Sequence, residues 1–145
     1  MSDISKNSVT IEAPLSEVSA VLSDLANYPS WSTAIKSVDV QEKDSAGRAT
    51  KAKISIDAGV MKDRVILDYD WSSSPLEITF SLDDADLLTE MTGAYKLKDN
   101  GDDTTTVVYE LTVALSMPVP AMMRQKAELA TIDLALKQLK TKLEG

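Results

Sequence analysis

The sequence predicts an α+β fold in which a curved antiparallel sheet of about seven strands wraps around one long C-terminal helix. Three observations support this prediction. Between residues 37 and 115, segments of alternating apolar and polar residues follow one another, separated by short turn-like stretches. An apolar spacing of three and four residues then runs from Met122 to Leu143, as in an amphipathic helix. A sheet with one apolar face needs a cover, and only this helix is long enough to provide it.

The first elements are predicted to be one short strand and two short helices. A strand pattern at residues 8–12 ends before Pro14, which suits the first turn of a helix. Apolar residues with helical spacing predict this helix over residues 15–27, and it should end there because Tyr28 precedes a proline. A second short helix is predicted over residues 29–35.

The sequential strands place apolar residues at alternate positions, which predicts one apolar inner face. Turns are predicted at residues 43–48, 57–63, 72–75, 83–86 and 98–103, so the strands should form an antiparallel meander. The predicted inner face comprises Val38, Val40, Ala52, Ile54, Ile56, Val65, Leu67, Tyr69, Trp71, Leu76, Ile78, Phe80, Leu82, Thr89, Met91, Gly93, Tyr95, Leu97, Val107, Tyr109, Leu111, Val113 and Leu115. After a break at residues 117–120, the stripe of the long helix comprises Met122, Gln125, Leu129, Ile132, Leu136, Leu139 and Leu143.

The composition is that of a single globular domain covering residues 1–145. With 23 acidic and 15 basic residues the net charge is −8, so nucleic acid and anionic membrane surfaces are unfavourable partners. No stretch approaches the roughly 20 apolar residues needed to span a bilayer, and no signal peptide is apparent. The absence of cysteine fits a cytoplasmic protein.

The residue types that the chain lacks exclude several kinds of catalytic site. Without histidine or cysteine there can be no Ser-His-Asp triad, Cys-His dyad, HExxH metal site or zinc-thiolate site. Any catalysis at neutral pH would need a carboxylate, lysine or tyrosine with a shifted pKa. The glycines form no phosphate-binding loop, and the acidic turns lack the spacing of a calcium-binding loop, so neither a cofactor nor a metal is expected.

Four segments together resemble the START-like polyketide cyclase/dehydrase family, also called SRPBCC. They are IEAPLSEVSAVLSDLANYPSW (11–31), DAGVMKDRVILDYDW (57–71), TGAYKL (92–97) and MPVPAMMRQKAELATIDLALKQLKTKLE (117–144), and the resemblance is closest to the small stand-alone actinobacterial members. It implies the helix-grip fold of the birch-pollen allergen. It also implies a cavity for apolar or polyaromatic molecules such as sterols, lipids, quinones or polyketides. Some members of the family cyclise or dehydrate polyketides without a metal or organic cofactor.

The candidate ligand site lies between the predicted sheet and the long helix. Trp31 is expected to plug the core and to form a wall of the cavity. The hydroxyls of Tyr69, Tyr95 and Tyr109 either find partners in an ordinary core or donate to a ligand carbonyl, and Gln125 is either a polar anchor or lies at the solvent edge. The predicted ligand-binding residues are Trp31, Ile54, Ile56, Leu67, Tyr69, Trp71, Phe80, Met91, Tyr95, Tyr109, Met122, Gln125, Leu129 and Ile132.

Three functions are compatible with this pattern. The preferred one is a non-enzymatic binding or carrier protein for a small hydrophobic molecule. The second is a polyketide aromatase/cyclase or dehydratase that uses tyrosine hydroxyls such as Tyr69 and requires Arg64 or Asp133 to face the cavity. The arginines Arg48, Arg64 and Arg124 are all predicted to lie outside, although a one-residue bulge would turn Arg64 inward. The third is an interaction module with a vestigial pocket.

Overall fold

The computed structural model describes residues 4–59, 62–117 and 119–145, so the predicted turns at 57–63 and 117–120 include positions outside the described residues. Two short helices follow the first strand, as expected. The elements, in chain order, are β1 Ser5–Ile11, α1 Leu15–Ser23, a 3₁₀ helix Leu25–Ser30, β2 Ile35–Lys43, β3 Ala49–Asp57, β4 Lys62–Asp70, β5 Glu77–Ala85, β6 Leu88–Asp99, β7 Thr105–Leu115 and α2 Ala121–Glu144.

All strands form one antiparallel sheet with the order β1-β7-β6-β5-β4-β3-β2. The predicted meander is therefore confirmed for β2 to β7, because each of these strands pairs with the next one in sequence. β1 pairs with β7 and places the N-terminal segment beside the last strand. Helix α2 packs mainly against β1 and β7, and the 3₁₀ helix packs against β2. None of the described helices combines the length and the apolar character required to cross a bilayer.

The position of the second short helix differs from the prediction. Its residues are Leu25–Ser30, whereas the prediction placed the second helix at residues 29–35, where β2 already begins at Ile35. Pro29 lies inside the 3₁₀ turn. The Tyr28 hydroxyl donates a 2.5 Å hydrogen bond back to the Leu22 carbonyl, which holds this turn against the end of α1.

The predicted inner face is confirmed along most of β3 to β7, where alternate residues are buried. Three of its members are exposed. Leu76 lies before β5, Leu115 is the last residue of β7, and Thr89 lies within a shift of register in the β6–β7 pairing, between Leu88 and Glu90. Such an irregularity changes which side chains face inward, so Leu88 is buried instead of Thr89.

The apolar stripe of α2 is confirmed in its second half and wrong in its first half. Ile132, Leu136 and Leu139 are buried, whereas Met122 and Leu129 are 80% and 39% exposed. A spacing of three and four residues has a period of 3.5, but a straight helix has 3.6 residues per turn, and the stripe therefore drifts by about 20° per heptad. Counted back from Leu143, the first members of the stripe have rotated away from the sheet.

Candidate functional site

Most of the predicted ligand-binding residues lie together in the interior. The side chain of Tyr69 is half-buried and packs against the same core, whereas Met122, Gln125 and Leu129 do not belong to it. The candidates that form part of one continuous buried core are Trp31, Ile54, Ile56, Leu67, Trp71, Phe80, Met91, Tyr95, Tyr109 and Ile132.

Aromatic rings cover the inner faces of β4 to β7. The Tyr69 ring stacks on Trp71 with 5.7 Å between centroids and makes a tilted contact with Phe80 at 5.5 Å, its direct neighbour on β5. On the next pair of strands, Tyr95 and Tyr109 stack with centroids 4.2 Å apart. These contacts produce a rigid aromatic wall on the side of the sheet that faces the helices.

Four tyrosines belong to the core or pack against it. Burial is the main cause that raises the pKa values of Tyr28, Tyr69, Tyr95 and Tyr109. Electrostatic repulsion by another tyrosine of this set raises the pKa of all of them except Tyr109 further. Tyr28 donates to the Leu22 carbonyl, whereas within the described residues the other three hydroxyls donate to no backbone carbonyl. A tyrosine hydroxyl is already protonated at neutral pH, and burial raises the pKa of these three further, so they can act as hydrogen-bond donors.

Trp31 has the core position that the sequence predicts. Its ring is buried and contacts Tyr28 at 5.0 Å between centroids, and Trp31 lines two pockets of about 370 and 260 Å³. Within the described residues, its buried indole Nε1 has no hydrogen-bond partner. Whether Trp31 also forms the wall of a ligand site stays a prediction.

The charged groups proposed for the cyclase mechanism lie at the surface. Arg64 is exposed and forms an ion pair with Asp86 at 3.5 Å, so the outward orientation predicted for Arg64 is correct. Asp133 is exposed and accepts a 2.8 Å hydrogen bond from the Asn7 side chain. A cyclase mechanism that needs Arg64 or Asp133 inside the cavity is therefore not supported by this arrangement.

The sequence interpretation placed Arg124 outside and did not single out Glu128, and here it was wrong. The Glu128 side chain is 0% exposed and that of Arg124 only 16%, and the guanidinium Nη1 donates to the Glu128 carboxylate at 2.9 Å. The same carboxylate accepts 2.7 Å hydrogen bonds from the Ser5 hydroxyl and the Val113 backbone N–H. The spacing of four residues between an arginine and a glutamate could have indicated this pair. The stripe predicted for α2 excluded both residues and therefore placed them on the side of the helix away from the sheet.

The apolar pocket beside the first half of α2 has a volume of about 680 Å³, within the range of about 300–1,000 Å³ that is usual for small-molecule sites. It lies between the helix, the start of β6 and the end of β7. None of the residues predicted to bind a ligand lines it. We call it the α2 pocket, and its lining residues are Lys62, Leu87, Leu88, Val113, Ala114, Leu115, Val119, Met123, Arg124, Lys126, Ala127 and Ala130.

A buried carboxylate holds one wall of the α2 pocket. Asp63 accepts backbone hydrogen bonds from Leu87 at 3.1 Å and from Leu88 at 2.8 Å, as well as one from Arg64 at 2.7 Å. Leu87 lies in the turn between β5 and β6, Leu88 is the first residue of β6, and both line the pocket. Asp63 therefore fastens the turn between β5 and β6 to the start of β4 and sets the position of this wall.

Replacing Asp63 with alanine should lower the free energy of unfolding by about 2 kcal/mol, because the backbone N–H groups of Leu87 and Leu88 lose their acceptor. Asp63→Asn should lose less, since the amide oxygen still accepts. Asp84→Ala, which removes an exposed acid from the end of β5, is the control and should change stability by less than about 0.5 kcal/mol. Urea denaturation measures all three, and equal stability of Asp63→Ala and Asp84→Ala would contradict the anchoring role.

Comparison with known families gives one match over nearly the whole chain. The family model described as polyketide cyclase / dehydrase and lipid transport matches residues 4–144. No curated protein sequence matches the chain.

Solved structures with the same fold are similar in architecture and distant in sequence. A START superfamily protein from Mycobacterium smegmatis has 21% identity, with 97% of each chain covered and a TM-score of 0.91. A protein from Thermus thermophilus also has 21% identity, with 98% of this chain and 97% of that chain covered and a TM-score of 0.82. The Zhui aromatase/cyclase from Streptomyces sp. R1128 has 16% identity, with 98% and 93% covered and a TM-score of 0.78. These similarities establish the START-like helix-grip fold.

Proposed function

Because this chain belongs to the polyketide cyclase/dehydrase and lipid transport family, we propose that it is a binding or carrier protein for a small hydrophobic molecule, such as a lipid, quinone or polyketide-like compound. The observation that carries the proposal is the α2 pocket, with its volume of about 680 Å³ and its mainly aliphatic lining. Removing the apolar surface of a ligand from water is the main source of affinity in such a site.

The α2 pocket is connected with the core of the domain. Leu88 and Val113 belong both to the pocket lining and to the buried core, so a bound molecule would contact core side chains directly. On the helix side, Ala127 and Ala130 leave room because they carry only methyl groups. A preformed concave site of this kind supports binding without a large rearrangement of the fold.

The proposal is tested by what accompanies the protein through purification. Protein purified without detergent is denatured and extracted with organic solvent, and the extract is analysed by mass spectrometry. About one hydrophobic molecule per chain would support a carrier. An empty extract, together with no binding of Nile red to the purified protein, would overturn it.

Filling the pocket provides a residue-level test. Ala130→Phe should reduce the affinity for Nile red at least tenfold, because the ring occupies space that the ligand needs. Ala20→Phe places the same ring on another exposed helical alanine, in α1, and should leave the affinity unchanged. Fluorescence titration measures both variants, and equal affinities would place the binding site elsewhere in the molecule.

An aromatase/cyclase or dehydratase activity is the second candidate, and Arg124 is the observation that favours it. Its guanidinium borders the apolar pocket, where it could stabilise an enolate oxygen. The described residues that line the pocket include no carboxylate, and the chain has no histidine, so the supply of a general base is poor. Binding is therefore the function that the geometry supports better.

A further inference from the structure

We propose that the ligand of the α2 pocket is an anionic amphiphile, an apolar chain that carries one carboxylate head group. This inference rests on the proposed binding function and names the chemical class of the ligand. It is drawn from the charges around the pocket.

The charges around the pocket are opposite in sign to the charge of the protein. The chain has a net charge of −8, yet the charged residues that line the α2 pocket are Lys62, Arg124 and Lys126, all of them cations. The buried carboxylates of Asp63 and Glu128 lie behind the lining, but the charged residues that line the pocket are all basic, which favours a ligand with a negative group.

The three cations contribute in different ways. The charge of Arg124 is balanced by Glu128, which receives one of the five N–H donors of the guanidinium, so Arg124 offers mainly directed hydrogen bonds. The lining residues that carry a positive charge without a close carboxylate partner are the two lysines. Lys62 is exposed and has only a long 3.7 Å contact with Asp57, and within the described residues Lys126 has no carboxylate partner.

The pocket also presents apolar surface next to these charges. Leu87, Leu115 and Met123 are 56%, 41% and 62% exposed and line this one pocket, and exposed apolar residues that lie together indicate a binding surface. An apolar chain would cover these side chains and an anionic head would remain near the lysines at the rim. A free amphiphile fits better than a bilayer surface, because the net charge of −8 repels anionic membranes.

Calorimetric titration with decanoate and with decan-1-ol at neutral pH tests the inference, since the two probes have the same chain and differ in the head group. Decanoate should bind about tenfold more tightly, and the difference should shrink at high ionic strength because the lysines are exposed. If both probes bind equally, the inference is wrong and the proposed function stands. If neither probe binds while Nile red does, the inference is wrong and the proposed function stands. If Nile red does not bind either and the solvent extract is empty, both are wrong.

Charge variants assign the preference to this pocket. The double variant Lys62→Gln/Lys126→Gln should lose most of the preference for decanoate while keeping its affinity for decan-1-ol. Lys98→Gln, at the opposite end of β6, is the control and should behave as the unchanged protein. A preference that survives in the double variant would overturn the assignment. So would cosedimentation with phosphatidylglycerol vesicles in the absence of decanoate binding.

Discussion

Replacing Arg124 with methionine should lower the free energy of unfolding by about 3 kcal/mol, because it leaves the buried carboxylate of Glu128 without its cation. Methionine has a similar length and apolar stem, so little packing is lost. Ser5 and Val113 can still donate their hydrogen bonds to Glu128 in this variant. The loss of stability therefore reports the missing positive charge and not donors left without an acceptor.

The helix itself supplies the control. Lys140 and Glu144 form the same kind of pair, four residues apart on α2, with 2.6 Å between the Lys140 Nζ and the carboxylate, but both side chains are partly exposed. Lys140→Met also removes the 2.7 Å hydrogen bond from Lys140 Nζ to the exposed Thr10 carbonyl, but it should cost no more than about 1 kcal/mol, because water solvates both the carboxylate and the carbonyl. The two variants thus compare a buried pair with an exposed pair in one helix.

A second substitution identifies the cause of the loss. Glu128→Gln in the Arg124→Met background removes the lone charge and keeps an oxygen that accepts from Val113. It should recover more than half of the lost stability, as measured by urea denaturation. If Arg124→Met and Lys140→Met are equally stable, or if Glu128→Gln gives no recovery, the buried pair does not have the role assigned to it.

Replacing Gly93 with alanine should also cost about 3 kcal/mol, at the upper end of what overpacking a core usually costs. A methyl group on Gly93 would lie far inside the contact distance of two carbon atoms from Cζ of the Phe80 ring. Phe80 is the cross-strand neighbour of Gly93, and its buried ring also contacts Tyr69, so it has little freedom to move away.

A double-mutant cycle with Phe80→Leu isolates this clash. Leucine is shorter than phenylalanine, so Gly93→Ala should cost less than about 1 kcal/mol in the Phe80→Leu background. Thermal or urea unfolding of the two single variants and the double variant gives the coupling. If the two substitutions are additive, the close approach of the ring to Gly93 is not what requires a glycine there.

The fold class and most of the core could be predicted from the sequence, because they depend on local periodicity. Alternation placed Ile54, Leu67 and Tyr109 on the inner face, and the structure buries Ile54, Leu67 and Tyr109. An alternating pattern defines the two faces of a strand without knowledge of its partners. The pattern fails where the register changes, as at Thr89, because a shift depends on how two strands pair.

The candidate site depends on information that the sequence pattern does not contain. The α2 pocket combines residues from the start of β4, the start of β6, the end of β7 and the first half of α2, and no local pattern links these segments. The sequence also did not determine the rotation of α2 about its own axis. The direction of a stripe with a period of 3.5 residues drifts by about 20° per heptad, and this error accumulates over the length of the helix. This rotation buries Glu128, brings Arg124 to the pocket and leaves Leu129 exposed.

The sequence by itself determined the order of the elements, the meander, the inner faces of the strands and the absence of histidine and cysteine chemistry. These properties follow from the residue periodicity within each segment and from the composition of the chain, and neither depends on contacts between segments. Only the tertiary structure decided which segments line the α2 pocket, which charges surround it and which carboxylates are buried. Such properties arise from contacts between segments distant in sequence, as between Ser5 and Glu128. They are therefore set by packing and cannot be obtained from any single stretch of the chain.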